Sequence, residues 1–259
     1  MRWSKLVNPS KLVSVGLILF SLVATVKLQH SQYQKVKTEI NNPNYFEAEQ
    51  ELQTKLNFRK LVPSFGFDNL VADSWYLEFA QYFGDKAARE ETGYSLVSQY
   101  FSAIADRDPL FFEAHATLSV ANSMYAGQAE QTVNLMNQIL AKVPDSQQNA
   151  HQIWSLKALD ETLFLGNITA AQHSYRQAIS LAAAQNDLDA NSAIAVNQQR
   201  VDFLATKPDP TLAQITAWRS VLPNVVKQAE RKIIKEKIAT LEAKLVGQAN
   251  APTTNKSTK

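Results

Sequence analysis

Apolar residues recur along most of this chain at intervals of three and four, the period of a helix face. The clearest case is residues 163–182, LFLGNITAAQHSYRQAISLA, where Ala171, Tyr175 and Ala178 share one side of a helix. Gly166 and Asn167 make the turn before it, since both tolerate positive φ. A small residue, a large ring and another small residue form a face that a neighbouring helix can approach closely. The same spacing returns at Val97, Phe101 and Ile104, and again at Thr132, Met136 and Ile139. Phe101 and Met136 lie 35 positions apart, as do Pro109 and Pro144. Ala114, Leu118 and Ala121 stripe a helix before Gly127, and Trp154, Ala158 and Leu159 stripe one before Gly166. The two glycines are 39 positions apart, and a longer connection near 147–151 accounts for the surplus.

A degraded fourth unit follows. Ala193, Val196, Val201 and Leu204 form its first helix, 207–210 its turn, and Leu212, Ile215 and Trp218 a second helix that stops at Pro223. Residues 225–246 are a long last helix with Val226, Ile233, Ile234, Ile238, Leu241 and Leu245 on one side. That side is expected to cap the array within a 223–246 segment. Its other side mixes lysines, Arg231 and glutamates, so it reads either as a solvated face or as one that meets acidic lipid. Residues 247–259 have the composition of a disordered tail.

Before the repeated pattern, residues 12–26, LVSVGLILFSLVATV, carry no charge. They fall short of the roughly 20 residues that cross a bilayer, and snorkelling Lys11 and Lys27 with Leu28 bring the span near the lower limit of about 17. The reading is a single-pass anchor over 12–28 within residues 1–30, with Trp3 at the head groups. The alternative is a cleaved signal peptide with Ser21 and Ala24 near the cut. Basic residues tie across the span, and a short basic start held in the cytoplasm puts the body on the non-cytoplasmic side. Residues 31–64 read as a helical stem: Tyr33, Val36 and Ile40 stripe a first helix, 41–44 break it, and a second helix covers 47–61. Residues 65–222 hold the repeated units. Half of the chain's aromatic residues fall in 65–112, as core or as a docking surface for an apolar partner or lipid. Trp75, Phe79, Tyr82 and Phe83 stripe a helix there that Gly84 and Asp85 stop.

Composition narrows the chemistry. Seven glycines in 259 residues, with 45% apolar residues, suit helices. A net charge of +2 gives no nucleic-acid signal. Zero cysteines exclude disulfides, thiolate metal sites and a cysteine nucleophile. The four histidines are scattered, so no metal site is expected, and no phosphate-cradling or nucleophile-elbow motif occurs, so no cofactor and no catalytic set is expected. Asp160 and Glu161, like Glu90 and Glu91, are adjacent carboxylates that a solvated helix surface explains.

The pattern around Gly166, Ala171, Tyr175 and Ala178 resembles the second half of a tetratricopeptide repeat, a helix–turn–helix unit of about 34 residues. The resemblance covers about residues 67–222, without the typical Trp and Leu-Gly of the first helix and with Thr132 and Val97 in place of the small alanine. The layout is similar to membrane-anchored tetratricopeptide proteins of bacteria, and the block FGFDNLVADSWYLEFAQYFGD to cyanobacterial ones. The resemblance implies an all-α solenoid of three to four hairpins behind a plasma- or thylakoid-membrane helix. It implies a groove lined by first helices, here offering Tyr82, Thr117, Met124, Asp160 and Arg200, with Phe101, Ile104, Met136, Ile139, Gly166, Ala171, Tyr175 and Ala178 packing the repeats. The expected role is a tethered, non-enzymatic scaffold that holds a protein partner while a membrane complex assembles, and the cyanobacterial likeness implies a photosynthetic one. The alternatives are a permanent subunit of such a complex, and an enzymatic or small-molecule-binding helical domain.

Overall fold

A computed structural model describes residues 9–41, 43–144, 147, 149–185 and 188–249, and their side chains except at 9–15, 34–41 and 249. Among the described residues there are twelve α-helices, one π-helical segment and no strand, so the fold is all-α. The helices are α1 Pro9–Asn41, α2 Tyr45–Leu61, α3 Asp68–Gly84, α4 Lys86–Thr92, α5 Val97–Arg107, α6 Phe112–Ala116, the π-helix Ser119–Tyr125, α7 Ala129–Lys142, α8 Ala150–Leu163, α9 Ile168–Ala182, α10 Leu188–Ala205, α11 Thr211–Val221 and α12 Gln228–Ala249. Contacts divide the chain into two compact units, Met1–Ala48 and Glu49–Lys259.

In the first unit α1 is one helix of 33 residues. It runs unbroken through Leu28 to Asn41, so the described part of the expected span and the first helix of the expected stem are one helix. Eight large apolar side chains from Leu17 to Leu28 are exposed on it. No helix is long and apolar enough, among the described residues, to cross a membrane. Arg2, Trp3 and Lys5, the side chains of the expected span before Gly16, and the tail from residue 250 lie outside the described residues. Gly247, Gln248 and Ala249, expected in that tail, belong to α12.

The second unit is built by packing successive helices. α3 lies on α5, the π-helix on α7, and α8 on α9; α5 also meets α7, and α6, α7 and the π-helix meet α8. Fully buried Phe101, Met136 and Ile139 sit in one core cluster with Phe79, Tyr82, Tyr100, Leu118 and Ile153. Each such side chain stabilises the fold by about 1.5–3 kcal/mol. Phe79 meets Phe101 edge-on, with ring centroids 4.7 Å apart. Ile104 packs in a neighbouring cluster with Trp75 and Ala114, and Ala171 and Tyr175 in a third with Ala158, Val201 and Leu204. Ala178 is fully buried. The aromatic block is therefore mostly core, and Phe65 and Phe67 are its exposed members.

Gly84 and Asp85 stop α3 as expected, and the Asp85 carboxylate also accepts from the Ala88 N–H at 3.2 Å and starts α4. A further turn follows at Gly93, with φ 74 and ψ −153, a region open to glycine alone. Two expectations are corrected. The fourth hairpin does not close, because α10 packs on α9 while α11 packs chiefly on α12, α8 and the π-helix. Accordingly α12, which starts at Gln228, packs on α11 and sets Ile234 against the Gly127 turn rather than over the end of the array, and Ile233 and Leu245 of its apolar side remain exposed.

Candidate functional site

The turns at Gly127 and Gly166 share one hydrogen-bond pattern. Ala126 N–H donates to Ala121 O at 3.2 Å and Gln128 N–H to Asn122 O at 2.9 Å; 39 residues on, Leu165 N–H donates to Asp160 O at 3.2 Å and Asn167 N–H to Glu161 O at 2.8 Å. Both glycines hold positive φ, 71 and 63. The Asn167 carboxamide then caps α9 by accepting from Ala170 N–H at 3.1 Å. The two hairpins are thus the same backbone device with different side chains.

The C-terminal segment lies across these turns. Gln214 Nε2 and Trp218 Nε1 both donate to the Phe164 carbonyl, at 3.1 and 3.3 Å, and Asn224 Nδ2 donates to the Met124 carbonyl at 3.0 Å. These are helix-end carbonyls that lack partners within their own helices. Val221, Val225 and Ile234 close over Gly127, and Val226 approaches Gly93. Chain order runs opposite to turn order, so one segment spans all three turns. Arg231 Nη1 fixes it by donating to the Leu222 and Val225 carbonyls, each at 2.8 Å. Lys237 sits 4.2 Å from the Trp218 ring centroid and donates to Glu130 Oε1 at 2.6 Å.

The five expected groove residues are not gathered into one wall. Tyr82 is buried in the first core cluster. Its hydroxyl accepts from the Leu96 N–H at 3.2 Å, the Arg89 guanidinium lies 3.6 Å from its ring centroid, and burial pushes its hydroxyl up to about 12. Asp160, 1% exposed, accepts from Ser119 Oγ and Ser123 Oγ, each at 2.9 Å. Burial raises its carboxyl to about 6, against the pull of those two hydroxyls. Neither side chain faces solvent, so both leave the list of groove residues. Met124 is half-buried against the Trp218 cluster. Thr117 and Arg200 are half-buried as well; the Thr117 hydroxyl donates to Ala114 O at 2.8 Å, and the Arg200 guanidinium lies 5.4 Å from the Tyr175 ring centroid.

Sequence reading placed Asp160 and Glu161 on a solvated surface, and the structure buries both. Glu161 Oε1 accepts from Lys157 Nζ at 2.6 Å, Glu161 Oε2 accepts from Ser174 Oγ at 2.7 Å, and Lys157 Nζ also lies 2.8 Å from Ser174 Oγ. Lys157 and Glu161 stand four apart on α8, and that spacing was the available signal. Next to them, Ser123 Oγ and Asn122 Nδ2 reach Thr132 Oγ1 at 2.9 and 3.1 Å. These polar groups bond one another between helices, and Asn122 Oδ1 is buried among them without a hydrogen-bond partner. His115 is fully buried with Nε2 at 3.1 Å from the Asp108 carbonyl, and burial lowers it to about 4. Among the described residues no group of three or more His, Asp or Glu side chains is placed to hold a metal ion.

No protein-family model, no curated protein and no solved structure matches the chain.

Proposed function

We propose that this chain is a membrane-tethered scaffold of tetratricopeptide-like hairpins that holds a protein partner while a membrane complex assembles. The observation that carries the reading is the recurrence of one turn, with the same hydrogen bonds, at Gly127 and Gly166. Hairpins repeated in this way present helix faces side by side, a surface suited to an extended peptide or a partner helix. Thr117, Met124 and Arg200 are the expected groove residues that keep part of their surface exposed, and Thr117 and Arg200 are the polar ones. The tether is the apolar run 12–28, whose described part exposes its leucines, isoleucine, phenylalanine and valines along α1. Lysine stems at its ends extend it to the shortest lengths that span a bilayer. Tethering raises the local concentration of a modest binding face, and the side chains around Asp160 and Lys157 stiffen that face rather than perform chemistry.

The test is purification of the full chain from its native membrane in mild detergent, as parent, Thr117→Arg and Arg200→Glu. One protein recovered in fixed ratio with the parent, and depleted with both variants at unchanged melting temperature, is the expected result. Release of the chain by carbonate without detergent overturns the tether, and equal recovery with all three forms overturns the groove.

A further inference from the structure

The loop between α2 and α3 is built opposite to the usual surface loop. Leu61, Phe65 and Phe67 are 82%, 83% and 65% exposed, and Phe58, Leu70 and Leu77 on the flanking helices are 65% exposed or more. No other stretch of similar length in the described part of residues 49–259 shows as many large apolar side chains to solvent. The loop is nevertheless held in one shape. Arg107, reaching from α5, donates through Nη2 to the Val62 carbonyl at 2.7 Å and the Lys60 carbonyl at 3.4 Å, and through Nη1 to Asp68 Oδ1 at 3.1 Å. Phe67 N–H donates to the Ser64 carbonyl at 2.9 Å. Phe65 and Gly66 both hold positive φ, 53 and 90. A phenylalanine is costly in that region, where glycine or asparagine sits easily. The Lys60, Val62 and Ser64 carbonyls and the Phe67 N–H are thus bonded within the protein, while the rings of Phe65 and Phe67 face solvent.

We propose that residues 61–67 are a tip that dips into the interfacial layer of a lipid bilayer. A convex tip of aromatic and aliphatic side chains suits a deformable apolar medium better than it suits a protein groove. Lys55, Arg59 and Lys60 lie on the turns of α2 that lead into it, where their heads reach phosphate groups while their stems follow the apolar side chains. Arg59 also meets Glu78. The proposal rests on the tether of the proposed function: a chain held by residues 12–28 keeps this loop at high effective concentration near the bilayer.

The absence of cysteine makes the test clean. Full-length single-cysteine variants Leu19→Cys, Phe65→Cys, Phe67→Cys and Phe203→Cys are labelled with a polarity-sensitive nitrobenzoxadiazole dye and mixed with phosphatidylcholine–phosphatidylglycerol vesicles. All four positions are exposed, so the fold tolerates the label. The expected result is a blue shift and quenching by brominated lipid at 65 and 67, with no change at 203. A shift at 19 without one at 65 and 67 overturns the tip and leaves the tether standing. A shift at 65 and 67 without one at 19 supports the tip and overturns the tether. A concentration-dependent shift at 65 without vesicles assigns the tip to a second copy of the chain and overturns the proposal.

Discussion

Gln214 of α11 closes over Gly166 so tightly that a methyl group on the glycine would stand 2.7 Å from the Gln214 amide. The contact joins the C-terminal segment to the turn of an earlier hairpin, and the amide is held there by its hydrogen bond to Phe164 O. Gly166→Ala meets two costs, the left-handed backbone and the displaced amide. The expected loss is about 1–3 kcal/mol, read as a lower urea midpoint at unchanged slope. Adding Gln214→Ala to that variant removes the steric part, so the double variant should be less destabilised than the two single losses sum to. Gly166→Ala as stable as the parent contradicts the packing.

Lys157 and Glu161 form a buried pair, with side chains 7% and 5% exposed. Lys157→Met strands a buried carboxylate and should cost about 3–5 kcal/mol. Removing both charges, as Lys157→Met with Glu161→Leu, should restore most of that loss, because no unpaired charge then remains. Urea denaturation of the three forms checks it. A single variant no less stable than the double one contradicts the pairing.

Asp160 and His115 make opposite contributions to stability in acid. Asp160, facing the hydroxyls of Ser119 and Ser123 and the Glu161 carboxylate, has its folded value raised to about 6. Its contribution is therefore fully present below the ordinary carboxylate value and is lost as pH rises through about 6. His115, facing the Asp108 carbonyl and carboxylate and Lys142, has its folded value lowered to about 4. Its contribution is present above the ordinary histidine value and is lost as pH falls through about 4. Over pH 4 to 6.5 the two offset each other. Asp160→Asn should leave a stability that climbs across that window and exceeds the parent's at neutral pH. His115→Gln should leave one that declines. Each limb amounts to at most about 3 kcal/mol. Melting temperatures across pH 4 to 7 read the slopes, and identical slopes in both variants contradict the assignment.

Arg107→Ala removes the three bonds that hold the α2–α3 loop. The side chain is 17% exposed and its guanidinium lies 5.8 Å from the Trp75 ring centroid, so packing is lost together with the bonds. Limited proteolysis should then cut within 61–67 much faster than in the parent, with a lowered melting temperature. Cleavage at an unchanged rate contradicts the clamp.

Periodicity made the helices legible, and the spacing of Gly127 and Gly166 made two turns legible, because a reversal between packed helices needs positive φ and glycine supplies it. Gly93 escaped notice because the stop at Gly84 and Asp85 explained the end of α3 by itself, and nothing in the sequence marks Asp85 as also the cap of a second, short helix. The π-helix was not legible, since nothing in the run SVANSMY distinguishes it from an α-helix, and neither were the bonds of Ser119 and Ser123 to Asp160 across the hairpins. The path of α11 was not legible either. Its apolar stripe, Ile215 and Trp218, says that a face is buried and not against which neighbour. Of the expected groove residues, Tyr82 and Asp160 were misplaced for a related reason: a polar atom on a helix stripe reads as exposed until its buried partner is known.

The central claim, that the hairpin faces hold a protein partner at a membrane, meets its most direct test in light-induced crosslinking within native membranes. A photoreactive residue is placed at Thr117 or Arg200 of the full chain, with Leu188 as the control position. The account predicts one discrete protein adduct of the same mass from Thr117 and Arg200, found in the membrane fraction and absent from Leu188. Adducts of equal yield at all three positions, or none at Thr117 and Arg200, contradict it.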